Sequence, residues 1–237
     1  MNGLFYSIAE AVFLKFPEYA RGVLVARDVQ NGESPSPLVE MLRAEEASVR
    51  ERLKVEEIAA HPRIASWREA YRTAGIKPSE FRSSIEAMAR RVLHNQELPS
   101  INALVDIGNI LSLRHILPIG AHALDPVSHD IALRPATGEE VFVPFGSEAE
   151  HPVPGEIIFA EGNTVLTRRW SWRQANHTLT VPATRAIEFN VDGLPPVPKS
   201  EVEEIGKELA SMVERFCGGR MRFEILTRQN PRMALDL

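Results

Sequence analysis

Leu98-Pro-Ser-Ile-Asn-Ala-Leu-Val-Asp-Ile-Gly-Asn-Ile-Leu-Ser-Leu-Arg-His-Ile-Leu-Pro-Ile-Gly-Ala-His-Ala-Leu-Asp125 is the stretch that decides how this chain is read. An ordinary surface helix needs one apolar stripe and takes almost any polar residue elsewhere. Here Asn102, Asp106 and Asn109 sit among Ile101, Leu104, Val105, Ile107, Ile110, Leu111 and Leu113, and the run breaks at Pro118-Ile-Gly120. Short amides and a carboxylate inside an apolar helix are costly unless each finds partners. The pattern therefore predicts a buried helix whose Asn102, Asp106 and Asn109 are hydrogen-bonded to the backbone of neighbouring loops or strands.

Upstream, Gly22-Val-Leu-Val-Ala26 suits a buried strand, and Leu38 to Leu53 repeats apolar residues on one helical face. Ser83-Ser-Ile-Glu86 is a capping box opening a helix to about His94. Downstream the period changes. Short runs at 131–134, 141–145, 157–160, 165–169, 179–181 and 186–191 alternate with Gly, Pro and Asn and predict antiparallel strands. Gly193-Leu-Pro-Pro-Val-Pro198 is a stiff linker. A second capping box, Ser200-x-x-Glu203, opens an amphipathic helix ended by Gly218-Gly219, before a last strand at Met221–Leu226. Helices first, a mixed or antiparallel sheet block after, and one closing helix predict an α+β layered sheet-and-helix sandwich. Residues 1–60 are expected to be a strand-helix extension packed on a core domain of 61–237.

The ordered series of short signatures resembles the B3/B4 domain of the bacterial phenylalanyl-tRNA synthetase β chain. It comprises Val105-Asp-Ile-Gly-Asn109, then Pro118-Ile-Gly-Ala-His-Ala-Leu-Asp125, then Asp130–Arg134 with Gly138-Glu-Glu140. Pro154–Glu161, Thr164–Thr167 and Thr184–Asn190 complete it. Within that family, Arg168-Arg-Trp-Ser-Trp-Arg-Gln174 is similar to a segment of the free-standing B3/B4 proteins. The likeness covers roughly residues 65–195 and implies an amino-acid editing pocket that hydrolyses mischarged aminoacyl-tRNA. Position by position, the family's Thr-Asn pair falls on Gly108-Asn109 and its Pro on Pro118. Its His falls on Gly120, and its Glu on Asn190, or on Glu188 after a shift of two residues. Its glycine-rich loop is replaced by Arg169–Arg173. The implied pocket is thus Asn109, Gly120 and Asn190, with Pro118, Trp170 and Trp172 against the substrate.

Composition bounds the alternatives. The chain has 237 residues, 44% hydrophobic and 25% charged, with net charge −5, so wholesale disorder and bulk polycation binding to nucleic acid are not expected. The single cysteine, Cys217, excludes an internal disulfide and fits a reducing cytoplasm, and the seven histidines lack metal-ligand spacing. No metal, cofactor or membrane partner is expected, and no G-x-S-x-G, Walker A or G-x-G-x-x-G is present. An aminoacyl ester is already activated, so its hydrolysis needs a pocket, a placed water and hydrogen-bond donors rather than a nucleophile. Arg168, Arg169 and Arg173 are candidates for RNA phosphate contacts, with Trp170 and Trp172 as stacking surfaces. Equally, both tryptophans can be core residues and the arginines paired with acids. If the segment is a strand, Trp170 and Trp172 share one face and Arg169 and Arg173 the other. Expected partners are a tRNA acceptor end and a small amino-acid moiety. The alternative is a non-catalytic module for a free amino acid or metabolite. Oligomeric state is not legible.

Overall fold

A computed structural model describes residues 3–236. In order the chain forms β1 (Phe5–Ile8), α1 (Glu10–Lys15), β2 (Ala20–Arg27), α2 (Ser36–Arg52), a 3-10 turn (Ile58–Ala60), α3 (Pro62–Thr73), α4 (Ser84–Leu93), α5 (Ala103–His115) and β3 (Ile119–Ala123). There follow β4 (Ile131–Pro135), β5 (Ile157–Glu161), β6 (Thr164–Arg168), β7 (Arg173–Gln174), β8 (Ala186–Gly193), α6 (Lys199–Cys217), β9 (Arg220–Leu226) and β10 (Arg232–Ala234). The strands form a six-stranded sheet, β10-β1-β4-β5-β6-β7, and a four-stranded sheet, β3-β8-β2-β9. All pairings among these strands are antiparallel except β1 with β4. This is the expected α+β sandwich, and both β1 and β2 are inner strands of their sheets.

Strand alternation builds the layers. On β2, Leu24 and Ala26 join Ile187, Phe189 and Val191 of β8 in a core with α2, α4, α5 and α6. Val23 and Val25 point the other way, into a second core with Tyr6, Ile131, Leu133, Phe159 and Leu166 of the six-stranded sheet. The four-stranded sheet is therefore covered on both faces, which is why β2 and β8 read as nearly unbroken apolar runs.

The helix quoted at the outset is buried as predicted. Asn102 caps α5: its side chain accepts from Val105 N at 3.1 Å and donates to Thr180 O at 2.9 Å. Asp106 accepts from Ser34 Oγ at 2.6 Å, from Ser100 Oγ and from the Ile101 amide, so it ties two loops to the helix. Asn109 differs: it is half-buried, and among the described residues its amide has no hydrogen-bond partner. The helix ends with Ile116 in the left-handed region at φ 50°, a conformation that costs a β-branched residue roughly 1–2 kcal/mol. That reversal sends Pro118 and β3 along the edge of β8.

Several local expectations are corrected. Residues 141–145 form only isolated bridges and leave Val143 and Phe145 exposed, and 179–181 is the loop that receives Asn102. The Ser200 box does not form, because α6 starts at Lys199 with Pro198 at its cap, two residues before the expected cap. At Ser83 only the forward half forms, with Glu86 N donating to Ser83 Oγ while the Glu86 side chain turns to arginines. The Arg168–Arg173 segment is not one strand. β6 stops at Arg168, and Arg169 and Trp170 are both left-handed, at φ 48° and 65°. The strand alternation of Trp170 with Trp172 is thereby lost.

Candidate functional site

Between the two sheets, beside α4 and α5, lies a cavity of about 400 Å³. Register explains its position. Gly120 of β3 stands opposite Asn190 of β8, and Asn190 opposite Val23 of β2, on the face turned toward the six-stranded sheet. A Cβ at Gly120 would come within 2.8 Å of Asn190 Oδ1, so a glycine keeps this end of the cavity open. Asn109 and Val105 of α5, Pro118, Phe159, Trp172 of the β6–β7 turn and Arg173 of β7 complete the wall. The cavity thus brings together the expected Asn109, Pro118, Gly120, Asn190, Trp170, Trp172 and Arg173.

Its floor is a buried charge network that the sequence reading missed. Arg21 and Asp192 face each other across β2 and β8 and are 1% and 0% exposed. The guanidinium grips the carboxylate with two hydrogen bonds, Nε to Oδ1 at 2.6 Å and Nη2 to Oδ2 at 3.0 Å. Its Nη1 also donates to Tyr6 Oη at 2.8 Å, while Tyr19 Oη donates to Asp192. Asn190 Nδ2 donates to Asp192 Oδ2 at 3.0 Å, which turns its Oδ1 toward Gly120 and the cavity. Burial first, and the neighbouring carboxylates with it, hold both phenols well above the ordinary tyrosine range, so both are neutral, Tyr6 accepting from Arg21 and Tyr19 donating to Asp192. The sequence signal for this network is charged residues placed inside apolar strands: Arg21 before Val23–Ala26, and Glu188, Asn190 and Asp192 alternating with Ile187, Phe189 and Val191.

One pleat further along, His122 stands opposite Glu188. His122 Nδ1 lies 2.7 Å from Thr178 Oγ1 and its Nε2 3.1 Å from Thr167 Oγ1, so both ring nitrogens face hydroxyls. Burial, reinforced by Arg21, lowers its pKa to about 3, so it is neutral and a poor base. Glu188 is fully buried with neither carboxylate oxygen hydrogen-bonded, and desolvation raises its pKa to about 8 despite Arg21. Asn190 thus lines the cavity, while Glu188 is enclosed behind it.

The arginine-tryptophan segment divides its roles. Arg168, expected to meet RNA, is buried, holding Glu156 through two hydrogen bonds of 2.9 and 2.8 Å and Glu150 at 2.6 Å. Arg169 is sandwiched, its guanidinium 3.6 Å from the Phe81 ring centre and 4.4 Å from that of Trp172. Among the described residues only Arg173 of the three has no ion partner, and it sits on the cavity wall. Trp170 turns inward, centred 4.8–5.1 Å from Phe16, Tyr19 and Trp67, and donates its indole N–H to Tyr19 Oη at 3.3 Å. At 1% exposure it is core, and no ring face is left for a base; Trp172 is half-buried beside Phe81.

Cys217 is buried and its thiol is pushed up to about 11 by desolvation, far from nucleophilic reactivity. Among the described residues no helix is long and apolar enough to cross a membrane.

The B3/4 domain model matches residues 66–218, a span that includes the cavity's α5, β3, β6–β7 turn and β8. No curated protein matches. A solved structure of an N-terminal fragment of the phenylalanyl-tRNA synthetase beta-subunit from Pyrococcus horikoshii is similar at 12% identity and a TM-score of 0.45. The alignment covers 94% of this chain and 51% of that one, so the chain spans about half that structure's length.

Proposed function

The chain belongs to the B3/4 domain family, and on that premise we propose that it binds the aminoacylated end of tRNA and hydrolyses a mischarged ester in trans. The observation that carries this reading is the cavity itself, about 400 Å³, walled by apolar side chains and floored by hydrogen-bonding groups already fixed in place. A pocket of this size suits a small organic group such as an amino-acid side chain. The apolar wall from Val105, Phe159 and Trp172 would take the body of that side chain.

Chemistry at the ester requires little more than placement. Asn109, half-buried with its amide unpartnered, supplies an N–H donor for the developing oxyanion, and Asn190 Oδ1 supplies an acceptor for a water. The Arg21–Asp192 pair holds the Asn190 amide, so that acceptor is oriented before substrate arrives. His122 takes no proton near neutrality, because its pKa lies at about 3. Hydrolysis on this reading is by positioned water. Incubation with a panel of mischarged tRNAs tests it: ester loss should exceed the uncatalysed rate for at least one amino acid, and no acceleration for any of them contradicts hydrolysis.

Arg173 favours a second reading. A cation without an ion partner on the cavity wall suits the carboxylate of a free amino acid as well as a phosphate. Calorimetry with free amino acids separates the two. Saturable binding of one, without any tRNA binding, identifies a metabolite module.

A further inference from the structure

Charge in this chain is segregated toward one side of the cavity. Overall it carries 27 Lys and Arg against 32 Asp and Glu, yet residues 66–94 and 168–173 together hold nine cations and three anions. The first segment comprises most of α3, the connecting loop and α4, and the second is the turn on the cavity wall. The two are physically joined: Ser84 N donates to Ser171 O at 2.7 Å, and the Phe81 and Trp172 rings meet at 5.0 Å. Ser84 and Met88 of α4 themselves line the cavity.

Internal pairing consumes only part of this charge: Glu150 and Glu156 take up Arg168 and Arg169, and the excess remains on the helical side. A single buried carboxylate, Glu86, serves three arginines, with Arg68 at 2.8 Å, Arg90 at 3.0 Å and Arg82 at 3.9 Å. Two positive charges are left over at that point. Beside it, Arg68, Arg72 and Lys77 line an open depression of about 410 Å³ at the end of α3. Among the described residues Arg72 and Lys77 pair only with exposed neighbours, Glu69 and Glu80, at 2.8 and 3.2 Å, and such pairs contribute little and exchange readily for a better anion. By contrast, the expected phosphate ligands Arg168 and Arg169 are held by Glu156 and the aromatic sandwich.

We infer that the RNA backbone leading into the cavity crosses this face, its phosphates meeting Arg72, Lys77 and Arg82 before the 3′ end passes Arg173. This rests on the tRNA reading above and names the surface that reading requires. Electrostatic binding of this kind releases counterions, so log affinity falls linearly with log salt, by about 0.7 per phosphate contacted on a single strand.

The test compares the full chain with R72A/K77A/R82A and with a control, R220A/R228A/R232A, which removes equal charge around β9 and β10. Binding to unfractionated deacylated tRNA is titrated from low to high salt, with melting temperature recorded for each protein. The expected result is a salt slope shallower by about 2 in the first variant, and tenfold or more weaker binding at about 0.1 M salt. The control should keep the parent's slope. Binding by the parent with an unchanged slope in the first variant, or an equal loss in the control, overturns this surface and leaves the tRNA reading standing. Absence of tRNA binding by the parent overturns both.

Discussion

The two faces of the four-stranded sheet are made by the same strands and are chemically opposite. Toward the helices, Leu24, Ile187, Phe189 and Val191 form a dry apolar layer. Toward the six-stranded sheet, alternate residues of the same strands present Arg21, His122, Glu188, Asn190 and Asp192, all buried. The outer face is what folding alone selects. The inner face carries an ion pair whose desolvation cost can exceed its attraction, and an acid with no partner at all. A sheet tolerates such a face where something is gained from it, and here the gain is a preset floor for the cavity.

The largest effects should come from breaking that floor. Asp192→Ala leaves Arg21 buried without its counter-ion and should cost about 3–5 kcal/mol in denaturant unfolding. R21M/D192L should recover most of that loss while abolishing any activity of the cavity. If instead the apolar pair is as unstable as D192A, the network serves stability, and the contrast between the faces loses its meaning. Trp170→Ala should cost roughly as much as a core truncation, about 3–5 kcal/mol. Trp172→Ala should cost less stability and weaken RNA binding by roughly 1–3 kcal/mol if its ring stacks on a base. Equal melting losses for the two would contradict their different placements.

Next in size is a pH effect confined to the inner face. Glu188 keeps its proton in the folded state up to about 8, whereas the unfolded chain releases it near 4.5, so stability falls as pH rises between those values. His122 works in the opposite sense. The unfolded chain takes a proton near 6.5 and the folded state only at about 3, so stability falls as pH drops through that window. Glu188→Gln should therefore gain on the parent above about pH 8, by a few kcal/mol, and show no such gain near pH 4. Parallel stability curves would mean that Glu188 is not buried as an acid. The smallest expected effect on stability is at the wall. Asn109→Ala should stay within about 0.5 kcal/mol of the parent, yet slow ester hydrolysis by about 100-fold if its amide meets the oxyanion.

The apolar layers were legible because alternation and helical periodicity report which face is covered. Asn102 and Asp106 were legible because a polar side chain inside an apolar helix must find partners. Asn109, Pro118, Gly120 and Asn190 line one cavity, and Asn109 alone of the α5 trio stays unpartnered among the described residues. What sequence could not show is anything that depends on register. Arg21 and Asp192 are 171 residues apart and meet only because β2 and β8 align them. The Arg168–Arg173 segment misled for another reason. Its alternating charges and rings imitate a strand, and the left-handed residues that fold it are Arg169 and Trp170, where no glycine marks the turn.

The central claim is that the inner face exists to serve an occupant of the cavity. The most direct test measures ester loss from a panel of mischarged tRNAs with the parent beside Gly120→Leu, whose side chain would fill the space before Asn190, melting being recorded for both. The account predicts accelerated hydrolysis of at least one aminoacyl-tRNA by the parent, and loss of that acceleration in a variant that remains folded. Equal rates from the open and the filled cavity, or no acceleration by the parent with any amino acid, would contradict it.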